Sequence, residues 1–333
     1  MSVFEQIFLS AAGFLFGGLL ASFQPEADEF KPWIGQEPPG DKAELFASGI
    51  VSDGMNNRDM AISPDGREIY YSSSVGNHTY TTIFMVRWKD GQWIEPQVAS
   101  FATNPKYKYL EPAFSPDGNR LYFASDQPLE GTEAKEDTDI WVVEKIENEW
   151  SEPVNLGPGV NSGIGEYFPS VTSNGTLYFT RTNRKEGTDY IYRSEYVNGR
   201  YQEPKLLPEQ VNCGKSRFNG FISADEDYMI LPVYGMEDSF GGTDYYIIYR
   251  NPDDTWNDPI NLGPSVNSSN MQEWSPFVSP DGKYFFFMSA RTPEKPEKIF
   301  SYRDFLNLHN SPQNGNPDIY WIRADFIEEL KVR

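Results

Sequence analysis

Cysteine and histidine are almost absent from this sequence. Cys213 is the one cysteine, so an intrachain disulfide and a zinc site built from several cysteines are both excluded. His78 and His309 are the two histidines, which excludes a metal site held by three histidines of one chain. We expect Cys213 to be a small loop residue and not a nucleophile.

Positive charge is scarce as well. The chain has 28 Lys and Arg against 49 Asp and Glu, a formal net charge of −21. Nucleic acids bind basic surfaces, so this balance excludes them as partners. The chain also lacks a Gly-x-Ser-x-Gly elbow, a phosphate-binding glycine loop followed by lysine, and a dinucleotide fingerprint. These absences remove several common enzyme classes.

The one long apolar run lies at the start of the chain. Residues from Ile7 to Phe23 are nearly all apolar or small, as in the core of a signal peptide, but no Lys or Arg precedes them. Residues 1–24 are therefore interpreted as an export signal, a retained membrane anchor, or a helix packed on the domain. Residues 25–42, rich in Pro, Gly and charge, are predicted to be a linker. We expect an exported protein, periplasmic or extracellular, that meets a membrane only if this segment is retained.

One short phrase recurs five times along the rest of the chain. Ser63-Pro64-Asp65-Gly66 returns unchanged at residues 115–118 and 279–282, and two altered copies stand between them, Thr172-Ser173-Asn174-Gly175 and Ser223-Ala224-Asp225-Glu226. Taking the third residue of each copy as a marker, the spacings are 52, 57, 51 and 56 residues. A repeat of about 50 residues, built of short aromatic-rich strands, is typical of a β-propeller with one four-stranded blade per repeat.

Each repeat divides into four strands of alternating polarity. The last repeat stops at Arg333 without room for its outer strand, and residues 43–51 resemble that missing piece. The sequence therefore predicts an all-β fold over residues 43–333. It is a five-bladed β-propeller of four-stranded antiparallel blades, closed by an N-terminal strand that completes the last blade.

The repeated phrases resemble the TolB-like propeller repeat, a WD-like repeat with Ser-Pro-Asp-Gly and Asp-Ile-Tyr motifs. The combination of Asn-Leu-Gly-Pro, Val-Asn-Ser and Asp-Ile-Tyr is especially similar to exported Bacteroidetes-type propellers, over about residues 44–330. The wider family includes periplasmic scaffolds that bind partners and a pectic-oligosaccharide lyase whose metal is held mainly by histidines. With two histidines, this chain cannot copy that metal site.

Candidate site residues come from the innermost strands, which line the channel of a propeller. Residues six and eight positions before each marker were expected to share a face, because they are two apart on a strand. This places four carboxylates and an arginine at one mouth of the channel, with two flat rings beside them. They are Asp59, Glu111, Glu166, Glu273, Arg217, Tyr109 and Phe168.

The carboxylate ring has three interpretations. It is a solvated channel lining, a Ca²⁺ site formed by Asp59, Glu111, Glu166 and Glu273, or a hydrolytic site. For the last, Glu111 and Glu166 are the predicted acid and base or nucleophile, with Arg217 as substrate clamp or as a group that tunes their pKa values. No other cofactor is expected.

Two further loops belong to the predicted mouth. His78 lies in the second-to-third-strand loop of the first blade, and His309 in the equivalent loop of the last blade, so closure of the ring makes them neighbours. That last loop, residues 290–317, is about twice as long as its counterparts, as binding loops often are.

Two functions remain open from the sequence. The first is a non-enzymatic binding or scaffold propeller for a cell-envelope protein or glycan. The second is a carbohydrate-active hydrolase or lyase that uses paired carboxylates. They differ in whether two carboxylates converge under an open pocket or are neutralised by arginines such as Arg58 and Arg217.

Overall fold

Five antiparallel sheets of four or five strands follow one another along the described chain, one for each repeat, and a separate two-stranded ribbon accompanies the third. The computed structural model describes residues 29–132, 137–183, 185–269, 272–293, 295, 297–299 and 301–332. The predicted five-bladed propeller is confirmed, and most of its blades have four main strands. The apolar residues 1–24 lie outside the described residues.

The strands are numbered in chain order and run from the centre of each blade outward. The N-terminal strand is β1 (Glu44–Leu45). Blade 1 contains β2 (Asn56–Ile62), β3 (Glu68–Val75), β4 (Tyr80–Lys89), β5 (Gln92–Trp93) and β6 (Gln97–Val98). Blade 2 contains β7 (Tyr109–Phe114), β8 (Arg120–Ser125), β9 (Asp139–Ile146), β10 (Glu149–Trp150) and β11 (Val154–Asn155). Blade 3 contains β12 (Glu166–Val171), β13 (Leu177–Asn183), β14 (Thr188–Ser194), β15 (Tyr196–Val197), β16 (Arg200–Tyr201) and β17 (Lys205–Leu206).

The remaining strands form the last two blades. Blade 4 contains β18 (Ser216–Arg217), β19 (Phe221–Ile222), β20 (Tyr228–Tyr234), β21 (Thr243–Tyr249) and β22 (Ile260–Asn261). Blade 5 contains β23 (Phe277–Val278), β24 (Tyr284–Ser289) and β25 (Asp318–Arg323), and β1 is its outermost strand.

The N-terminal strand closes the ring, as the sequence predicted. In β1, Glu44 lies opposite Trp321 and Leu45 opposite Tyr320 of β25. The next residue, Phe46, is fully buried, and its ring lies 5.1 Å from that of Phe286. The first and last parts of the chain are therefore held together by a strand ladder and by core packing.

The Ser-Pro-Asp-Gly phrases form tight turns between first and second strands. In the first copy, Ser63 Oγ donates to Asp65 Oδ1 at 2.6 Å, and the same oxygen accepts from the Arg67 N–H at 3.1 Å. Gly66 has a φ of 71°, which favours glycine. These aspartates are turn residues, as predicted. The side of the propeller that carries the turns is called here the turn face, and the opposite side the loop face.

The segment predicted as a linker lies against the propeller. A short 3₁₀ helix, Trp33–Gly35, places the Trp33 ring 5.2 Å from Tyr284 and 5.8 Å from Trp321. Phe30 lies under the Arg67 guanidinium, 4.6 Å away, beside the first turn. The described chain therefore begins at the turn face.

Two α-helices lie on opposite faces. Helix α1 (Tyr302–His309) belongs to the long loop of blade 5 and has no buried residue. Helix α2 (Phe326–Lys331) follows β25 and packs Ile327 and Leu330 into the core of blades 4 and 5. No helix among the described residues is long and apolar enough to span a membrane.

Candidate functional site

A break in the innermost strand recurs from blade to blade. The register with the second strand shifts between Arg58 and Ala61 in blade 1, and at the equivalent place in blades 2 and 3. In blade 4 the innermost strand is split into β18 and β19. The residue six positions before the marker has a positive φ in four blades: Asp59, Glu111, Phe168 and Asn219, at 50° to 60°. Such a bulge ends the alternation of side chains between two faces.

The residues six and eight positions before the marker were expected to share a face, and around this break they make separate sets of contacts. Residues six and eight before the marker are all buried, whereas those seven before it are partly exposed. We call the latter the axial layer: Arg58, Leu110, Tyr167, Phe218 and Trp274. The Arg58 guanidinium lies 5.9 Å from the Trp274 ring, and the Phe218 ring lies 6.1 Å from it. These contacts join the innermost strands of blades 1, 5 and 4 at the axis.

The axial layer was not predicted from the sequence, although the sequence contains a signal for it. Prolines follow the residue six positions before the marker in three blades, Pro112, Pro169 and Pro276. Proline cannot donate to a strand ladder, so within a strand it marks an edge or a bulge. Three such prolines at one repeat position would have indicated the shift by one residue.

Asp59 and Glu111 belong to one hydrogen-bonded network that crosses the channel, called here the axial network. Arg58 Nε donates to Asp59 Oδ2 at 2.7 Å, and Arg58 Nη2 donates to Glu111 Oε1 at 3.0 Å. Ser275 Oγ donates to Asp59 Oδ1, and the Phe168 N–H donates to Glu111 Oε2 at 2.8 Å. One guanidinium therefore serves two buried carboxylates, and the network connects blades 5, 1, 2 and 3.

Glu111 is the most perturbed acid of the candidate site. Burial, followed by the neighbouring Asp59 carboxylate, raises the pKa of Glu111 to about 8, and Arg58 opposes the shift. Glu111 is therefore largely protonated at neutral pH, whereas an ordinary glutamate is ionised.

Glu166 and Glu273 lie in a different, repeated arrangement. Arg181 Nε donates to Glu166 Oε1 at 2.8 Å and Arg181 Nη2 to the Val160 carbonyl at 2.9 Å. Ser162 donates to Glu166 through both its N–H and its hydroxyl. In blade 5, Arg291, Ser268 and the Val266 carbonyl surround Glu273 in the same way. Burial raises the pKa of both glutamates, and their serine and arginine partners oppose the shift.

These contacts connect each Glu to the Val-Asn-Ser loop that leads into its blade from the preceding blade. The structure thus brings Glu111 together with Asp59, and Glu166 together with Arg181. It places the predicted partners Glu111 and Glu166 in separate networks.

Arg217 and Tyr109 also make internal contacts. Arg217 donates to the carbonyls of Cys213, Asp189 and Gly214 at 2.8, 2.9 and 3.1 Å, and burial lowers its pKa. Tyr109 is buried and its hydroxyl donates to Gln127 Oε1 at 3.3 Å. Burial also raises the pKa of the Cys213 thiol to about 11, so the thiolate form is disfavoured.

Both histidine-bearing loops make contacts near the start of β2. His78 Nδ1 lies 3.0 Å from Ser74 Oγ, and Nε2 lies 3.5 Å from the Asn56 amide. Asn314 Nδ2 donates both to the His309 carbonyl and to the Gly54 carbonyl. The end of α1 is thereby attached to the loop that precedes β2, and the closeness of His78 and His309 stays a prediction.

A cavity of about 600 Å³ opens at the turn face and reaches the axial network. Asp59, Glu111 and Phe168 lie at its inner end, and Pro64, Pro116 and Pro280 of the turns lie at its rim. The sequence predicted the ligand-binding mouth on the loop face, whereas this cavity opens on the turn face. The axial layer explains it, because its side chains meet at the axis on the loop side of the buried residues.

Metal ligands do not cluster in the part of the chain that the structure describes. No group of three or more His, Cys, Asp and Glu side chains there is placed to hold an ion. Between Asp59 and Glu111, the Arg58 guanidinium supplies the positive charge that a cation would bring.

Comparisons with known proteins identify the fold and no closer relationship. No family model and no curated protein matches the chain. TolB from Acinetobacter baumannii is 17% identical with a TM-score of 0.45 over 81% of this chain, which spans only 57% of that protein. A thermostable family-43 glycoside hydrolase is 12% identical with a TM-score of 0.50, over 81% of this chain and 89% of the other. A family 117 glycoside hydrolase from Zobellia galactanivorans is 12% identical with a TM-score of 0.48, over 86% and 88%. These similarities concern the β-propeller fold alone.

Proposed function

We propose that this protein is an exported, non-enzymatic binding propeller that engages a cell-envelope protein or glycan at the loop-face mouth of its channel. One observation carries the proposal. Each of the four candidate carboxylates is paired with an arginine inside the protein: Asp59 and Glu111 with Arg58, Glu166 with Arg181, and Glu273 with Arg291.

Those pairings argue against the predicted catalytic pair. Glycoside hydrolysis needs two carboxyl groups that converge on one bond, with room for substrate between them. Glu166 instead accepts hydrogen bonds from Ser162 and Arg181, and its side chain is fully buried. We therefore expect the main effect of removing the Glu166 carboxylate to be a loss of fold stability.

The loop face offers a surface that suits a binding role. The axial layer presents Trp274, Phe218 and Tyr167 partly exposed at the centre. Helix α1 stands beside the mouth with Tyr302 80% and Phe305 60% exposed. Exposed aromatic side chains are common anchors in protein interfaces and stack on sugar rings. The export part of the proposal depends on the apolar residues 1–24 and on the resemblance of the repeats.

A thermal-shift screen of the full chain tests this function. The panel contains plant, algal and bacterial oligosaccharides and soluble envelope-protein fractions, each with Ca²⁺ and with EDTA. A ligand of the native state raises the melting temperature by mass action. We expect a hit that is lost in Trp274→Ala and retained in Ile146→Ala, an exposed residue at the turn-face end of β9 in blade 2. A hit that both variants retain, or a panel with no hit, contradicts loop-face binding.

A second candidate function is a carbohydrate-active hydrolase or lyase. The observation that favours it is that Glu111 and Asp59 both line the turn-face cavity, with Glu111 in the protonated form that a general acid requires. In this alternative the pair is Glu111 and Asp59. Release of reducing ends or unsaturated products from the same oligosaccharides, abolished in Glu111→Gln and unchanged in Glu209→Gln, would support the enzyme and overturn the first proposal.

A further inference from the structure

Aromatic and proline side chains form much of the wall of the turn-face cavity. Three phenylalanines of the innermost strands, Phe114, Phe221 and Phe277, line it and are partly exposed. Three prolines complete the wall: Pro112, Pro169 and Pro276. A volume of about 600 Å³ is in the range of small-molecule sites, which are concave and mostly apolar with few polar groups.

The charged groups of the cavity are almost all acidic. Its lining contains six carboxylates and one ammonium, Lys283. The acids are Asp59, Glu111, Asp225, Asp227, Asp325 and Glu328. Two of the rim acids have cationic partners, since Lys331 lies 3.4 Å from Asp227 and Arg323 lies 3.2 Å from Asp325. Asp225 and Glu328 are exposed, and no ion pair joins either of them to another described residue.

We propose that this cavity binds a small organic cation, in which a protonated amine or quaternary ammonium is carried on an aromatic or apolar body. The apolar body packs against the phenylalanines and prolines, and phenylalanine faces also attract a positive charge. The rim carboxylates Asp225 and Glu328 provide the matching negative field, which the low-dielectric walls strengthen. The site is on the opposite face from the partner surface proposed above and does not depend on it.

The inner end of the cavity is already built in the free protein. Arg58 fixes Asp59 and Glu111 from the loop side, whereas the cavity is reached from the turn face. A ligand therefore meets an ordered floor and loses little free energy to reorganising it. An anionic ligand would be opposed by the rim, so the sign of the ligand charge is the sharpest test.

Isothermal titration calorimetry of the full chain with three indoles provides that test. Tryptamine, tryptophol and indole-3-acetate share one aromatic body and carry positive, zero and negative charge at neutral pH. We expect tryptamine to bind at least about tenfold more tightly than tryptophol, no measurable binding of indole-3-acetate, and weaker tryptamine binding at higher salt. Equal affinity for the three indoles would overturn the proposal, and so would tighter binding of spermidine, a cation without an aromatic body.

Paired variants place the ligand in the cavity. Asp225→Asn with Glu328→Gln should weaken tryptamine binding about fivefold or more, because both rim charges are lost. Glu95→Gln with Glu209→Gln changes the net charge equally at exposed positions outside the lining, and should have no effect. Ala113→Trp, on the cavity wall, should abolish binding with the fold retained by circular dichroism. If the two double variants weaken binding equally, or Ala113→Trp binds normally, tryptamine does not occupy this cavity.

Discussion

At the scale of single residues, Arg58 is notable because its one guanidinium pairs with two buried acids of the candidate site. Its side chain is 11% exposed, and it forms ion pairs with Asp59 and Glu111, which are 0% and 2% exposed. An isolated buried charge is costly, and here two acids depend on one base. The protonated form of Glu111 reduces that imbalance, since a neutral carboxyl beside an Asp–Arg pair leaves the network without net charge.

Substitution of Arg58 tests this dependence. Arg58→Met leaves Asp59 and Glu111 buried without a cation, so the free energy of unfolding should fall by about 3 kcal/mol or more. Adding Glu111→Gln should cause little further loss, because Glu111 is already largely protonated at neutral pH. The matched control is Arg323→Met, whose side chain is 48% exposed beside Asp41, and which should cost less than about 1 kcal/mol. Urea denaturation measures all three, and equal losses for Arg58→Met and Arg323→Met would refute the role of Arg58.

Glu111 should make stability depend on pH. Burial and the Asp59 carboxylate raise its pKa to about 8, above the ordinary value of 4.5. The folded protein therefore retains a proton that the unfolded chain has lost between about pH 5 and pH 8. The free energy of unfolding falls as the pH rises through that window, by up to about 1.4 kcal/mol per unit. The charged or titratable groups nearest Glu111 are Arg58, Asp59 and Tyr167.

Urea unfolding of the wild type and of Glu111→Gln at about pH 5.5, 6.5 and 7.5 separates this group from all others. The wild-type slope should be the steeper one. Glu209→Gln, at an exposed position, should keep the wild-type slope. Parallel pH profiles for wild type and Glu111→Gln would mean that Glu111 is ionised throughout the range.

At the scale of the elements, strands and turns could be predicted and the bulge could not. The Ser-Pro-Asp-Gly phrase encodes its turn locally, through the Ser63 hydroxyl and the Asp65 carboxylate, and so it is legible in the sequence. The bulge at Asp59 and Glu111 is a property of two paired strands, and the alternation rule assigns side chains to faces only where the pairing is regular. For that reason Glu111 and Glu166, which the alternation rule grouped together, make their contacts in separate networks.

The Val-Asn-Ser phrase was recognised in the sequence without a role, and the structure supplies one. Asn267 Oδ1 accepts from the Tyr245 N–H at 2.8 Å, and its Nδ2 donates to the Tyr245 carbonyl at 3.0 Å and to Asn261 Oδ1 at 2.8 Å. The amide therefore pairs with β21 as a residue of a neighbouring strand would, where the outer strand β22 has ended. Asn161 pairs with Ile140 in the same way in blade 2.

Asn267→Ala should consequently destabilise the fold by about 1 to 3 kcal/mol, because it leaves the buried Tyr245 N–H without its partner, whereas the Tyr245 carbonyl keeps the Leu262 N–H. Asn307→Ala is the control, since Asn307 is exposed on α1, and it should change the free energy of unfolding by less than about 0.5 kcal/mol. Chemical denaturation of both variants is sufficient. A cost for Asn267→Ala as small as that of the control would show that water replaces the amide.

At the scale of the whole molecule, the propeller separates two surfaces with different chemistry. The loop face carries the aromatic axial layer and the exposed helix α1, and the turn face carries the acidic cavity and the start of the described chain at Phe30. The axial network lies between them, so a ligand at one face and a partner at the other would both act on Arg58. Coupling between the faces would then appear as a change in one affinity when the other site is filled.

Closure of the ring gives the last prediction, because it connects residues far apart in sequence. Phe46 Cβ and ring atoms pack on Phe286 and Trp321, and the Phe46 N–H donates to the Ile319 carbonyl at 2.8 Å. Phe46→Ala should cost about 3 to 5 kcal/mol and keep a single cooperative transition, since blade 5 remains joined to its neighbours. Val98→Ala, at an exposed position of the outer strand of blade 1, should cost less than about 1 kcal/mol. Calorimetry distinguishes the outcomes. Two transitions in Phe46→Ala would mean that blade 5 unfolds by itself and that the N-terminal strand is a local cover, whereas one transition at a lower temperature means that the strand holds the whole ring.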